Sequence, residues 1–223
     1  REDRLGPERA CAQGWISPKA MRNGIIITVL FACLIGSSLL FYAGWELIIV
    51  GLLCVLFAFL YTTGPYPLSY NGWGDILVIV FFGFVPVGGT YYVQALTWTT
   101  DTTIASLICG LLIDTLLVVN NYRDREADAR SGKRTVIVRF GEKFGSYLYL
   151  MLGMTASLLC FWFLFEGHLY AALLPLLYLI PHFLTWKRMV RIHSGKKLNS
   201  ILGETSRNML LMGILLSIGF FLN

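Results

Sequence analysis

Charge is what this sequence has least of. Only 14% of its 223 residues are Asp, Glu, Lys or Arg, where a soluble domain carries about 25%. From Asn23 to Tyr122 there is no lysine or arginine, and from Phe144 to Trp186 there is none again. That excludes an ordinary water-soluble domain, and no nucleic-acid partner is expected. Histidine is scarce too. His168, His182 and His193 stand singly without ligand spacing, and each is expected at a membrane interface. The five cysteines form no CxxC pair, and Cys33, Cys54, Cys109 and Cys160 lie inside apolar runs. They read as small packing residues rather than disulfide partners or metal ligands. No signal peptide is expected, because the first apolar run begins only at Gly24, behind a polar arm. The chain opens on Arg1 rather than Met, so further sequence is expected upstream.

What is present instead is a series of long apolar runs, 56% of the chain being hydrophobic. Seven candidate spans follow, at about 25–45, 47–62, 76–93, 103–121, 145–165, 169–186 and 207–222. No polar block is long enough to fold by itself, so residues 1–223 read as a single all-α membrane domain. Gly83, Gly88, Gly89 and Gly110 permit close helix approach in lipid, and Pro86 predicts a kink in its span. All 18 basic residues fall in the segments 1–24, 122–144 and 187–206 or at Arg207. With 63–75, these segments share one side of the membrane, while the opposite turns hold Glu46, Asp101 and Glu166 and no basic residue. Basic residues near span ends mark the cytoplasmic face. The three basic segments and the loop between them are therefore expected in the cytoplasm.

Those segments hold the chemistry. Asn120, Asp124 and Asp128 recur every fourth residue, which on a helix makes one stripe roughly 80° wide. Two carboxylates one turn apart, continuing directly from an apolar span, can jointly hold a hard cation. Mg²⁺ favours one or two carboxylates completed by water and substrate phosphate oxygens. Lys133 and Arg134 follow closely enough to hold a diphosphate. A solvated helix end with i,i+4 charges is the other reading of the same stripe. Gly132-Lys133 is no nucleotide-binding phosphate loop, because the upstream glycine is absent and Arg134 stands at the hydroxyl position. The stretch from Tyr61 to Asp75 has no basic residue but carries Tyr61, Tyr66, Tyr70, Trp73 and two prolines. It is either an aromatic interface anchor or a cap over an aromatic or prenyl substrate. Lys196 and Lys197 read as orientation charges. Asp114, mid-span, either points toward the site or is a hydrogen-bonded structural group.

The run Asn120-Asn121-x-Arg123-Asp124-x-x-x-Asp128-x-x-x-Gly132-Lys133-x-Thr135 closely resembles the second aspartate motif of the UbiA-type intramembrane aromatic prenyltransferases. Three further stretches resemble the 1,4-dihydroxy-2-naphthoate (MenA) branch of that superfamily. These are Tyr61-Thr62-x-Gly64-Pro65-x-Pro67-Leu68-x-Tyr70-x-Gly72-x-Gly74-Asp75, then Phe81-Phe82-Gly83 running to Gly89-Thr90-Tyr91-Tyr92, and Leu198-Asn199-x-x-Leu202-x-x-Thr205. The match runs in order along essentially the whole chain.

The resemblance implies a nine-helix bundle around a central cavity, capped by cytoplasmic loops, with two acidic motifs binding Mg²⁺. Seven of those helices and one motif would be visible here. The family's first two helices and first Asn-Asp motif would precede Arg1, since Arg4, Gly6, Pro7 and Arg9 resemble the segment just after that motif. On that basis the chain would be the C-terminal part of a longer protein, inactive alone. The implied reaction moves a polyprenyl group from polyprenyl diphosphate to 1,4-dihydroxy-2-naphthoate with decarboxylation. It gives demethylmenaquinol in a bacterial cytoplasmic membrane. Asp124 and Asp128 would be the catalytic metal ligands, supported by Asn120 and Asn121. Arg123, Lys133, Arg134 and Arg4 would contact diphosphate, and Tyr61, Tyr66 and Tyr70 would cap the substrate. Three rivals stand beside this reading: a sister enzyme with another acceptor (4-hydroxybenzoate, homogentisate, haem or chlorophyllide), a membrane transporter, and a non-catalytic scaffold.

Overall fold

The computed structural model describes residues 5–222. Its helices are α1 (Pro18–Phe41), α2 (Glu46–Thr62), α3 (Gly74–Ala95), α4 (Thr100–Arg130), the short α5 (Val136–Phe140), α6 (Glu142–Phe165), α7 (Leu169–Ile192) and α8 (Lys196–Phe221). No strand occurs among the described residues. Six of the helices are long and apolar enough to cross a membrane, and α2, at 17 residues, is apolar but shorter. The chain is thus a multi-pass membrane protein, with a helix at each of the seven expected places and six of them long and apolar enough to span.

Helix limits follow local chemistry. Ser17 caps α1, accepting from the Ala20 N–H at 3.2 Å, with Pro18 at the first helical position. Thr99 caps α4 by accepting from the Thr102 N–H at 3.1 Å. Asp101 in the first turn and Arg130 in the last both complement the α4 dipole. Several helices outrun the spans expected from hydropathy, most of all α4, α7 and α8 at their basic ends. At a rise of about 1.5 Å per residue, α4 is some 46 Å long. A hydrocarbon core of about 30 Å leaves its last turns, carrying Asn120 to Arg130, projecting beyond the apolar layer.

α4 is also the helix around which the rest is arranged. It packs against α3, α6 and α8, and its Ile108, Val118, Val119 and Tyr122 are almost wholly buried. α1, by contrast, buries no residue and presents Leu30, Phe31, Leu34 and Ile35 outward, as lipid contact allows. Pro86 lies inside a π-helical stretch, Ile79–Gly88, so the expected distortion takes the form of widened turns. Within that stretch the Phe82 carbonyl receives the Cys109 thiol at 3.8 Å. All five cysteines are free. Cys160 packs as expected, fully buried, while Cys33 is exposed on α1.

His182 is a correction. Far from sitting at an interface, it is 1% exposed and stacked between Tyr149 and Tyr178, ring centroids 4.7 and 5.0 Å away. Its ring nitrogens bond the Tyr178 hydroxyl at 2.9 Å and the Leu150 carbonyl at 3.2 Å. Nearby, Tyr149 pairs with Thr205 at 3.0 Å, and Asn208 donates to Thr185 at 2.9 Å. This satisfied polar seam joins α6, α7 and α8 where lipid offers no alternative partners. A single histidine in an apolar run shows little of it: Tyr178 stands one turn away, but Tyr149 and the Leu150 carbonyl come from α6.

Candidate functional site

The acidic stripe lies on the projecting end of α4. Arg123 organises it from inside, its side chain only 4% exposed. The guanidinium grips both oxygens of Asp124, Nε to Oδ1 at 2.7 Å and Nη2 to Oδ2 at 2.6 Å. It also donates to Asn120 Oδ1 at 2.6 Å and to Asn199 Oδ1 at 2.8 Å. Four of its five N–H donors are thereby engaged. Asn199, on α8, passes the connection on by donating to the Leu5 carbonyl at 3.0 Å. Arg123 Nη2 is 2.9 Å from where a side chain on Gly6 would begin, so the N-terminal arm lies directly against the rim. Arg4 falls outside the described residues.

Asp128 is held differently. α4 ends at Ser131, and Gly132 takes a positive φ of 76°, a conformation costly for any residue with a Cβ. The reversal brings the Lys133 N–H onto the Asp128 carbonyl at 2.9 Å and its ammonium onto Asp128 Oδ2 at 3.0 Å. Each carboxylate of the stripe thus has its own cation within the chain. Among the described residues no three His, Cys, Asp or Glu side chains gather as a ready cation cage. The oxygen-only donor set, two carboxylates with two side-chain amides, nevertheless suits a hard ion such as Mg²⁺.

The loop between α2 and α3 docks onto this end. The Arg134 N–H donates to the Tyr70 carbonyl at 2.8 Å, and Arg139 donates to the Asn71 carbonyl at 2.7 Å. Tyr66 and Tyr70 are exposed, and the Arg134 side chain is exposed too. Tyr61 is half-buried and lines a small polar pocket with Ser69, Asp75, Asn121, Lys133 and Thr135. The structure therefore brings Tyr61, Asn121 and Lys133 to one pocket, and Asn120, Arg123 and Asp124 to one hydrogen-bonded cluster beside it. Two members were not singled out from sequence as site residues, Asn199 and Asp75. Both stand in the stretches that resemble the naphthoate branch, which was the available signal.

Further back, Asp114 is 1% exposed and its Oδ1 has no hydrogen-bond partner, so the hydrogen-bonded structural role is not seen for that oxygen. A second network braces the rim from behind. Glu142 of α6 accepts from the Tyr122 hydroxyl at 2.7 Å and from Arg125 at 3.0 Å, and it meets His193 Nδ1 at 2.6 Å. Arg123→Lys removes the planar fork while keeping the charge. It should lower the thermal-inactivation midpoint by about 5–10 °C and activity more than tenfold, since breaking a buried ion pair costs about 3–5 kcal/mol. Unchanged melting and turnover would show that the fork does not organise the rim.

Comparison with known proteins supplies the family. Residues 1–218 match the UbiA prenyltransferase family. The chain is 34% identical to the 1,4-dihydroxy-2-naphthoate octaprenyltransferase of Escherichia coli (strain K12), covering all of this chain and 75% of that protein. It is 34% identical to the protein so named from Haemophilus influenzae, covering 99% of this chain and 74% of the relative. To the Mycobacterium tuberculosis protein of the same name it is 36% identical over 72% of this chain and 55% of the relative. No solved structure matches significantly.

Proposed function

Because this chain belongs to the UbiA prenyltransferase family, we propose that it moves a polyprenyl group from polyprenyl diphosphate onto 1,4-dihydroxy-2-naphthoate. The ring carboxyl is lost as CO₂, and demethylmenaquinol for menaquinone synthesis results. The supporting observation is the polar end of α4, where Asn120, Arg123, Asp124 and Asn199 form one hydrogen-bonded cluster at the membrane edge. The shared name of the three relatives above favours the naphthoate over 4-hydroxybenzoate or homogentisate. A transporter reading has no comparable support, as the stripe sits at one helix end rather than at a broken helix in mid-membrane.

In this reading Asp124 and Asp128 hold Mg²⁺, with Asn120 and Asn121 completing the oxygen set. The ion supplies charge stabilisation to a departing diphosphate. Arg123 holds Asp124 in place and, among the described residues, has one N–H left for a phosphate oxygen. Lys133, Arg134 and Arg4 contribute positive charge around the leaving group. The loop bearing Tyr66 and Tyr70 covers the site, and Tyr61 walls its inner side, keeping water from an allylic cation. We place this end of the bundle in the cytoplasm and the chain in a bacterial inner membrane, as the one-sided basic residues indicate.

The test uses membranes from cells expressing the complete reading frame. Supplied with an all-trans prenyl diphosphate and equal concentrations of 1,4-dihydroxy-2-naphthoate and 4-hydroxybenzoate, they should prenylate the naphthoate selectively. Product formation should stop on EDTA treatment and return with Mg²⁺. Exclusive prenylation of the benzoate removes the proposed acceptor, and full activity after chelation removes the metal.

A further inference from the structure

The end of α4 carries the whole acidic stripe past the apolar layer, so whatever holds that end decides where the carboxylates point. At about 100° per residue, Arg123 leaves the helix about 100° to one side of the stripe's centre, and Tyr122 and Arg125 about 130° to the other. Arg123 is tied to Asn199 of α8 at 2.8 Å. On the other side one residue, Glu142 at the start of α6, takes both partners. Its Oε1 accepts from the Tyr122 hydroxyl at 2.7 Å and its Oε2 from Arg125 at 3.0 Å. Tyr122 is fully buried and the Arg125 side chain 10% exposed, so this is no solvated surface pair of little worth. His193, just past α7, adds to the same network from a positive φ of 63°, a conformation costly for a residue with a Cβ. Its ring Nδ1 meets Glu142 Oε1 at 2.6 Å, and its carbonyl accepts from Arg125 at 3.0 Å.

The helix end is thus clamped on two faces, and the stripe occupies the third. Building on the prenyl-transfer reading above, we propose that Glu142 is a positioning residue for that reaction: through Tyr122 and Arg125 it fixes the rotation of the α4 end, and with it the direction in which Asp124 and Asp128 face. The leverage is large. A carboxylate at the rim of a helix stands about 5–6 Å from the axis, so a rotation of about 10° moves it by about 1 Å. A displacement of that size in a positioned group costs up to about 10²-fold in rate, even when its source is remote from the chemistry. A glutamate in a first turn also complements its own helix dipole. That role alone would stabilise α6 and leave cation binding at the end of α4 untouched, which is where the two roles part.

The experiment uses the complete protein in detergent and two readouts. One is the binding of Mn²⁺, a probe that takes the same oxygen donors as Mg²⁺, followed by loss of the free ion's electron paramagnetic resonance signal. The other is kcat and KM for prenyl transfer. Glu142→Gln keeps an acceptor for Tyr122 but gives up the charge facing Arg125. It should raise the Mn²⁺ dissociation constant about threefold or more, toward the tenfold loss that follows removal of groups orienting metal ligands. Its kcat should fall about tenfold, with KM for the naphthoate within about twofold. Glu142→Asp, which restores the charge, should lie nearer the parent in both readouts. Tyr122→Phe removes one hydroxyl and no packing, so it carries the test if Glu142→Gln does not accumulate, and it should weaken Mn²⁺ about twofold to threefold. Parent-like Mn²⁺ binding in Tyr122→Phe and in any Glu142→Gln that accumulates, whatever the melting temperature, overturns the inference while the prenyl-transfer reading stands. A parent that binds Mn²⁺ yet transfers no prenyl group overturns that reading, and the Mn²⁺ constants still decide the role of Glu142. A parent that binds no Mn²⁺ overturns both.

Discussion

Asp124→Asn, in protein made from its complete reading frame, is expected to lower kcat/KM for prenyl transfer by about 10²–10³-fold, the scale seen when one preorganised charge-stabilising group is removed. The substitution preserves shape and one carbonyl oxygen, so Arg123 keeps part of its grip. It removes the negative charge, however, leaving the guanidinium, 4% exposed, without its only carboxylate partner among the described residues. Two losses therefore coincide: a candidate cation ligand disappears, and the residual field of the rim turns more positive. The Mg²⁺ concentration needed for half-maximal activity should rise along with the loss of rate, which a purely structural defect would not produce. Glu126→Gln, on the same helix but exposed, removes a charge of the same sign and should leave activity within about twofold, as exposed surface changes usually do. Equal activity of Asp124→Asn and Glu126→Gln would return the stripe to the status of a solvated helix end.

How much of this was written in the sequence depends on the range over which each feature is determined. Seven apolar helices and their order were legible, because each depends on composition within its own segment. The ends were less so. Hydropathy marks where a helix leaves apolar surroundings, whereas α4 continues through its polar residues to Arg130, where the Gly132 reversal stops it. Periodicity alone put Asn120, Asp124 and Asp128 on one face. It could not show that Arg123, expected beside a diphosphate, is turned back onto Asp124, Asn120 and Asn199. Asn199 is far along the chain, and only folding α8 against α4 brings it there. Asp114 was ambiguous for the same reason, since whether a carboxylate is partnered is decided entirely by other segments. His182 misled as a lone polar residue in an apolar run, because α6 supplies Leu150 and the stacking Tyr149.

The close approach of α3 to α4 makes the second large prediction. α3 and α4 meet backbone to backbone: a methyl on Gly83 would stand 2.5 Å from the Ser106 carbonyl oxygen and 2.8 Å from Gly110 Cα. A methyl on Gly110 would stand 2.9 Å from Ile79 Cα. Neither obstacle is a side chain that can swing aside, so relief requires the helices to part. Small residues matter in this way wherever helices associate in lipid, where packing rather than water exclusion supplies the attraction. Gly83→Ala should therefore cost about 4 kcal/mol or more, the range reserved for forced core rearrangement. Low accumulation in membranes or a sharply reduced thermal midpoint would report it. Gly89→Ala is the matched control, one residue past the π-helical stretch, with nothing within 4 Å of the added methyl. There alanine should be neutral or stabilising by up to about 1 kcal/mol, because glycine weakens a helix. The two substitutions add the same atom to one apolar helix, so a general effect of alanine on membrane insertion would move both alike. Opposite outcomes would locate the cost in the α3–α4 contact.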